Sequence, residues 1–363
     1  LILAATLGAT GGHWFLATIL LQAVGAAMCL VLVFDLARAI WPRSRAPWLS
    51  AGLLAMHGPF MFEMLSLRET VWFTLALLGV GWLLLKGARH TASAIALGGL
   101  LASLYLLRPT GLMVCGVTIA FLAWEAVRLQ AGAIRRLVIT LAASAVLVAP
   151  WQAFTWRNFG APGFFPTSSN GFNLAKGADA DLAVVSPWID ADTLDPRLRK
   201  LTEPIPGNRE RASDKVFRQI AIGLIRQSPT TVIYRSTASA VEFVSPLPIP
   251  LGTGTLKQTS GRLTIENFRP DWAEIAFTPV MILLLVSAGG GLKYFLWRKT
   301  GPSFFGLWMV VVFLSFLTVH ALTFTKTRYR LPLDALLVIP AGAWLAGFKR
   351  KPGTENSDEN TSP

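Results

Sequence analysis

Nine apolar runs, each close to the length of a bilayer core, govern what this chain can fold into. They are Trp14–Ala37, Pro47–Met64, Thr70–Leu85, Thr91–Leu107, Gly111–Val127, Leu137–Phe154, Ile275–Phe295, Phe304–Phe324 and Leu331–Phe348. A hydrocarbon layer of roughly 30 Å takes about 20 helical residues to cross. Hydrophobic residues make up 53% of the chain and charged ones only 15%, too few charges to solvate the surface of a soluble protein. The expectation is an all-α polytopic membrane protein of about nine transmembrane helices with one external mixed domain. It divides into a helical core over 1–156, an external domain over 157–272, C-terminal helices over 273–348 and a disordered cytoplasmic tail over 349–363. The chain begins at Leu1, inside an apolar stretch and without an initiator Met, and is read as a fragment that has lost its N-terminus.

The net charge of +13 would point to nucleic acid in a soluble protein. Here the lysines and arginines flank apolar runs and set orientation instead, so no nucleic-acid partner is expected. One set of short loops holds 14 basic residues, Arg38 to Lys351, and the opposite set holds five: Arg68, Arg108, Lys326, Arg328 and Arg330. The richer side is cytoplasmic. Asp35 with Arg38, and Glu125 with Arg128, read as pairs anchoring cytoplasmic helix ends. The same orientation places 157–272 outside, with 14 basic and 11 acidic residues. Within it, 211–227 has the period of an amphipathic helix that Pro229 ends, with Phe217, Ile220, Leu224 and Ile225 on one face. That face suits either the bilayer surface or the external domain.

The outer-side basic residues carry the chemistry. Three cations within Lys326-Thr-Arg-Tyr-Arg330 repel one another unless an anion sits among them, and guanidinium forks match phosphate oxygens. Arg68-Glu69 opens the third run, with Glu63 shortly before it; Arg68 pairs with one of these acids or meets phosphate. Arg108 stands in a tight Pro-Gly turn that needs no charge. The stretch 167–177 supplies Asn170 and Asn173 among hydroxyls and glycines, suited to sugar hydroxyls and equally to a turn-rich loop. P-loop, dinucleotide and HExxH patterns do not occur. Cys29 and Cys115 lie in apolar runs and read as core residues.

In their order these pieces resemble the polytopic GT-C glycosyltransferases, the group related to protein O-mannosyltransferases and the lipid A aminoarabinose transferase. The matching stretches are Leu67-Arg68-Glu69-Thr70, Leu107-Arg108-Pro109, Pro150-Trp151 with Arg157-Asn158, Asn170-Gly-Phe-Asn-Leu174 with Gly177, and Arg328-Tyr-Arg-Leu-Pro-Leu333. The resemblance implies sugar transfer from a polyprenyl-phosphate donor to a lipid, glycan or protein acceptor. It implies an inner-membrane enzyme of bacteria, working at the periplasmic face by a single inverting displacement. Arg68, Arg108, Lys326, Arg328 and Arg330 would then bind the donor phosphate, with Glu69, Asn170 and Asn173 as site walls. The family's catalytic carboxylate lies in an external loop expected upstream of Leu1, so none is assigned here. Some relatives use a divalent metal, for which Glu69 is the one candidate ligand; no other cofactor is expected. The competing expectations are a transporter or flippase of a lipid-linked saccharide, or a non-catalytic assembly protein.

Overall fold

The computed structural model describes residues 14–66, 68–86, 90–128, 132–159, 170–179, 209–247, 252–259, 262–297, 302–323 and 327–347. The first half is a succession of helices: α1 (Trp14–Ile40), α2 (Ala46–Ala55), α3 (Gly58–Leu65), α4 (Thr70–Leu85), α5 (Thr91–Leu107), α6 (Gly111–Val127) and α7 (Ala133–Phe159). Then come α8 (Asn170–Ala178), α9 (Arg209–Gln227), α10 (Pro229–Val244) and an antiparallel hairpin of β1 (Gly252–Thr259) and β2 (Arg262–Pro270). The short α11 (Trp272–Ala276) leads into α12 (Thr278–Trp297), α13 (Pro302–Leu322) and α14 (Thr327–Leu345).

Three of these, over Trp14–Ile40, Ala133–Asn158 and Phe304–Leu322, are long and apolar enough to cross a bilayer. Ala46–Ala55, Thr70–Leu85, Thr91–Leu107, Gly111–Val127 and Thr278–Lys293 are shorter apolar helices. The outward sides of α1 and α7 are themselves apolar: Leu20, Val24, Val31, Val138, Val146 and Leu147 are all exposed. A surface of that kind is stable against lipid tails and costly against water. The chain is an integral membrane protein.

The run Pro47–Met64 is not one span but two helices, α2 and α3. Pro59 removes a backbone donor and fixes its own φ at the start of α3. His57 caps the new helix, its Nδ1 accepting the Phe60 N–H at 3.1 Å.

The last helix, α14, lies at the centre of the bundle. Every residue from Arg330 to Ala343 is buried, and α1, α2, α4, α12 and α13 all pack on it. Two prolines sit inside it, Pro332 and Pro340, each withholding one N–H from the ladder. Near Pro340 the backbone is supported from outside: Ser50 donates its hydroxyl to the Ile339 carbonyl at 3.3 Å. Gly291 of α12 closes on the same place, where a Cβ would stand 2.0 Å from the Pro340 oxygen. The core around α14 runs through Leu36, Phe60, Phe73, Leu77, Trp308 and Phe316.

Further along the chain, α9 packs on α8 through Phe217 and Ala221, with Phe172, Leu174 and Ile220 alongside. Of its two possible seats, the apolar face of this amphipathic helix therefore takes the protein. Pro229 opens α10 rather than merely closing α9. At the opposite ends of the spans, Glu125 is met by Arg136 at 3.3 Å, and Arg128 lies over the Trp124 ring.

Candidate functional site

The turn before α4 is built around two carboxylates. Arg68 donates to Glu63 at 2.9 Å, and the Thr70 hydroxyl donates to the other Glu63 oxygen at 2.7 Å. The Arg68 carbonyl is fixed from α1 by the Gln22 amide at 3.0 Å. The next acid along, Glu69, is reached from the following turn: Arg108 Nε donates to it at 2.7 Å, and Arg108 Nη2 donates to the Thr70 hydroxyl at 2.6 Å. Of the two local pairings left open by the sequence, Arg68 takes Glu63, and Glu69 pairs with Arg108.

Arg108 is almost fully buried, held between the rings of Phe73 and Tyr329, 5.5 and 5.9 Å from its guanidinium carbon. Burial of a guanidinium is tolerated because two of its nitrogens are bonded and its faces rest on aromatic quadrupoles. Among the described residues, Nη1 has no hydrogen-bond partner. The turn that carries it is shaped by Gly111, where a Cβ would stand 2.0 Å from the Leu104 carbonyl oxygen.

These turns open on a cavity of about 690 Å³. Arg68, Glu69, Arg108, Pro109 and Thr110 form one wall, and Arg328 and Tyr329 of α14 another. The end of α13 contributes Val319, His320 and Thr323, while Asn170, Gly171, Asn173 and Leu174 of α8, with Arg218 of α9, form the remaining side. Four helices, α4, α6, α8 and α14, present their N-terminal ends here, and such ends favour anions. Burial alone would push the Glu69 carboxyl up. The Arg108 guanidinium beside it, with Arg328 adding, outweighs burial and holds Glu69 below its usual range.

The roof is fixed from α9. Asp214 accepts the Gly171 N–H and pairs with Arg218 at 3.0 Å, so the same helix turn that caps α8 extends a guanidinium to the cavity. On the α13 side the His320 ring stacks between Phe243 and Tyr329, with centroids 5.3 and 4.8 Å away. Arg328 lies over Tyr329 at 5.2 Å.

Of the residues singled out by sequence, Arg68, Glu69, Arg108, Arg328, Asn170 and Asn173 therefore meet at one cavity. Lys326 lies outside the described residues. Arg330 is elsewhere: it is fully buried and does not line the cavity. Its Nε lies 3.0 Å from Asp334 Oδ1, and Nη1 donates to the carbonyls of Phe243 and Ser245. Sequence reasoning missed Arg218, which sits on the polar face of an amphipathic helix and looked merely solvated there. It also gave no functional role to Tyr329, His320 and Thr110. Among the described residues no group of three or more His, Cys, Asp or Glu side chains gathers to hold a metal. Glu69 lines the cavity while bonded to Arg108.

No family model matches this sequence, and no curated protein sequence matches it. Among solved structures, one similar chain is the archaeal oligosaccharyltransferase AglB from Archaeoglobus fulgidus, in complex with an inhibitory peptide and a dolichol-phosphate. The TM-score is 0.51 at 15% identity, over 93% of this chain and 40% of AglB. ArnT from Cupriavidus metallidurans, bound to undecaprenyl phosphate, aligns over 92% of this chain and 66% of its own, at 13% identity and a TM-score of 0.37. Both are GT-C glycosyltransferases. The likeness to AglB is one of fold, and the chain spans less than half of that protein's length.

Proposed function

We propose that this chain is the membrane part of a glycosyltransferase that moves a sugar from a polyprenyl-phosphate donor to an acceptor at the outer face. The observation that carries this reading is the convergence of Arg68, Arg108 and Arg328, from three separate turns and helix starts, on a cavity also lined by Asn170 and Asn173. Guanidinium forks at helix N-termini match a phosphate in shape and charge, and amides match sugar hydroxyls. AglB and ArnT were both solved with a polyprenyl-type phosphate, and the fold shared with AglB is consistent with a ligand of that class.

In the reaction the acceptor oxygen attacks the anomeric carbon while the bond from that carbon to the phosphate oxygen breaks. The configuration inverts, and the bonding pair leaves on the lipid phosphate. Arg108 Nη1 and Arg328 meet the charge that develops there, where water is partly excluded and each hydrogen bond counts for more. Glu69 stays paired with Arg108 and keeps its fork aimed. The acceptor's proton passes to a general base, a role assigned here to none of the cavity residues. No nucleotide is needed, because a lipid phosphate whose charge is met is itself an adequate leaving group.

The test is transfer of radiolabelled sugar from a polyprenyl-phosphate-linked donor by the purified intact protein in nanodiscs. Donor-dependent release of sugar, abolished in Arg108→Ala, is expected. A protein that flips labelled lipid across a vesicle but never cleaves the sugar from it would overturn the reading in favour of transport.

A further inference from the structure

Away from the cavity lining lies a buried polar trio that the proposed chemistry does not use. His57, Asp334 and Arg330 are all solvent-inaccessible. His57 Nδ1 accepts the Phe60 N–H, so the ring proton sits on Nε2 and is given to Asp334 Oδ2 at 3.2 Å. Asp334 in turn holds Arg330 from one helical turn away. The far side of the Arg330 guanidinium ties down the carbonyls of Phe243 and Ser245, where α10 ends. The same Phe243 presents its ring to His320, which stacks on Tyr329, the residue before Arg330. The contacts close a loop from the helix break at His57, through the first turn of α14, to the last turn of α10 and back to the cavity wall.

Stability alone gives little reason for such a trio. Charged groups this deep lose their hydration, and apolar residues of equal volume usually pack as well or better. What a hydrogen-bonded trio supplies is direction: it fixes which way each attached backbone segment faces. Arg328 and Tyr329 immediately precede Arg330 on the same turn of helix, so the azimuth of α14 at Arg330 sets where both point.

We propose that Arg330, held by Asp334 and His57, is a positioning residue that aims Arg328 and Tyr329 into the cavity and locks that aim to the end of α10. This rests on the reading of the cavity as a lipid-phosphate site. It assigns Arg330 a role without contact with the ligand, and it makes the external helices and the phosphate wall answer to one guanidinium. Displacing the end of α10 then weakens the grip on the phosphate, although α10 itself does not line the cavity.

The experiment replaces the trio as a unit, His57→Leu with Arg330→Met and Asp334→Leu, leaving no buried charge unpaired. The intact protein is placed in nanodiscs, and its affinity for undecaprenyl phosphate is measured beside its thermal denaturation. A trio variant that melts no lower than the parent but binds the lipid at least tenfold more weakly supports positioning. An affinity within twofold of the parent overturns it, since a merely structural trio would leave binding intact once the fold is kept. Should the triple variant fail to accumulate, Arg330→Lys decides by the same reading, because lysine keeps the charge but cannot reach Asp334 and both carbonyls together. Arg328→Gln is run alongside: undiminished binding there would overturn the phosphate reading itself, whereas loss there with none in the trio variant would sink only the positioning role.

Discussion

Replacing Arg108 with lysine isolates geometry from charge at the heart of the site. The Arg108 guanidinium works through three nitrogens: Nε donates to Glu69 at 2.7 Å and Nη2 to the Thr70 hydroxyl at 2.6 Å, while Nη1, bonded to nothing among the described residues, is the one proposed to meet the phosphate. A lysine ammonium in the same nearly buried place can serve the carboxylate or the ligand but has no planar fork to serve both. One hydrogen bond between charged partners is worth about 1.5–3 kcal/mol. Its loss on the ligand side alone corresponds to roughly 10- to 150-fold weaker binding of the phosphate. The Phe73 and Tyr329 rings that flank the guanidinium would lose stacking as well, which adds to the cost. The assay is titration of undecaprenyl phosphate into nanodisc-embedded protein, with Glu69→Gln and the double variant completing a cycle. The account expects the two substitutions to be strongly non-additive, since Glu69 aims the group that Arg108 provides. Affinity in Arg108→Lys within twofold of the parent would refute the fork argument, because charge alone would then be enough.

Other consequences can be checked with modest effort. Because Glu69 is held below the ordinary glutamate value of 4.5, its stabilising contribution is present above that value and fades as pH falls through the lower folded value. The melting difference between the parent and Glu69→Gln should therefore be constant near neutrality and shrink only in acid; a difference that vanishes already between pH 6 and 7 would contradict the pairing. Gly111→Ala should abolish monodisperse protein on size exclusion, since its Cβ would stand 2.0 Å from the Leu104 oxygen with only backbone to yield; normal elution would show that the turn is built otherwise. Phe217→Ala, which empties the contact between α8 and α9, should cost about 3–5 kcal/mol locally and speed proteolysis within α9 without dissolving the bundle. Native Cys29 and Cys115 are buried, so single added cysteines report sidedness: Asn173→Cys should react with an impermeant maleimide from outside, and Lys86→Cys only after permeabilisation. The reverse pattern would invert the topology.

Much of this fold could be read from the chain because its punctuation is local. Helices α4, α5 and α6 begin and end where the sequence placed them, at Thr70–Leu85, Thr91–Leu107 and Gly111–Val127, since charged or Pro-Gly turns bound each apolar run. The break at His57 was hidden by the continuity of apolar residues on either side, although Gly58-Pro59 announces a helix start. The central place of α14 was not legible for a different reason. From Leu331 on, the run is apolar on all sides and reads alike in lipid and in a protein core; within that run only Asp334 hints at a buried partner.

The site shows the same division. Arg68, Arg108 and Arg328 stood out because basic residues on the outer side run against the usual charge bias, and that reasoning selects residues without knowing their direction. Arg328 and Arg330 looked equivalent in a short turn; in a helix they lie about 200° apart, so one faces the cavity and the other the core. Arg218 escaped notice because a charge on the polar face of an amphipathic helix is ordinary until tertiary packing carries it to a cavity.

The most direct test of the central claim is a structure of the intact protein in nanodiscs with undecaprenyl phosphate. The account predicts the phosphate in the cavity between α4, α6 and α14, within hydrogen-bonding reach of Arg108 Nη1 and Arg328. A phosphate bound elsewhere, with these arginines still engaged only by their own protein, would contradict it.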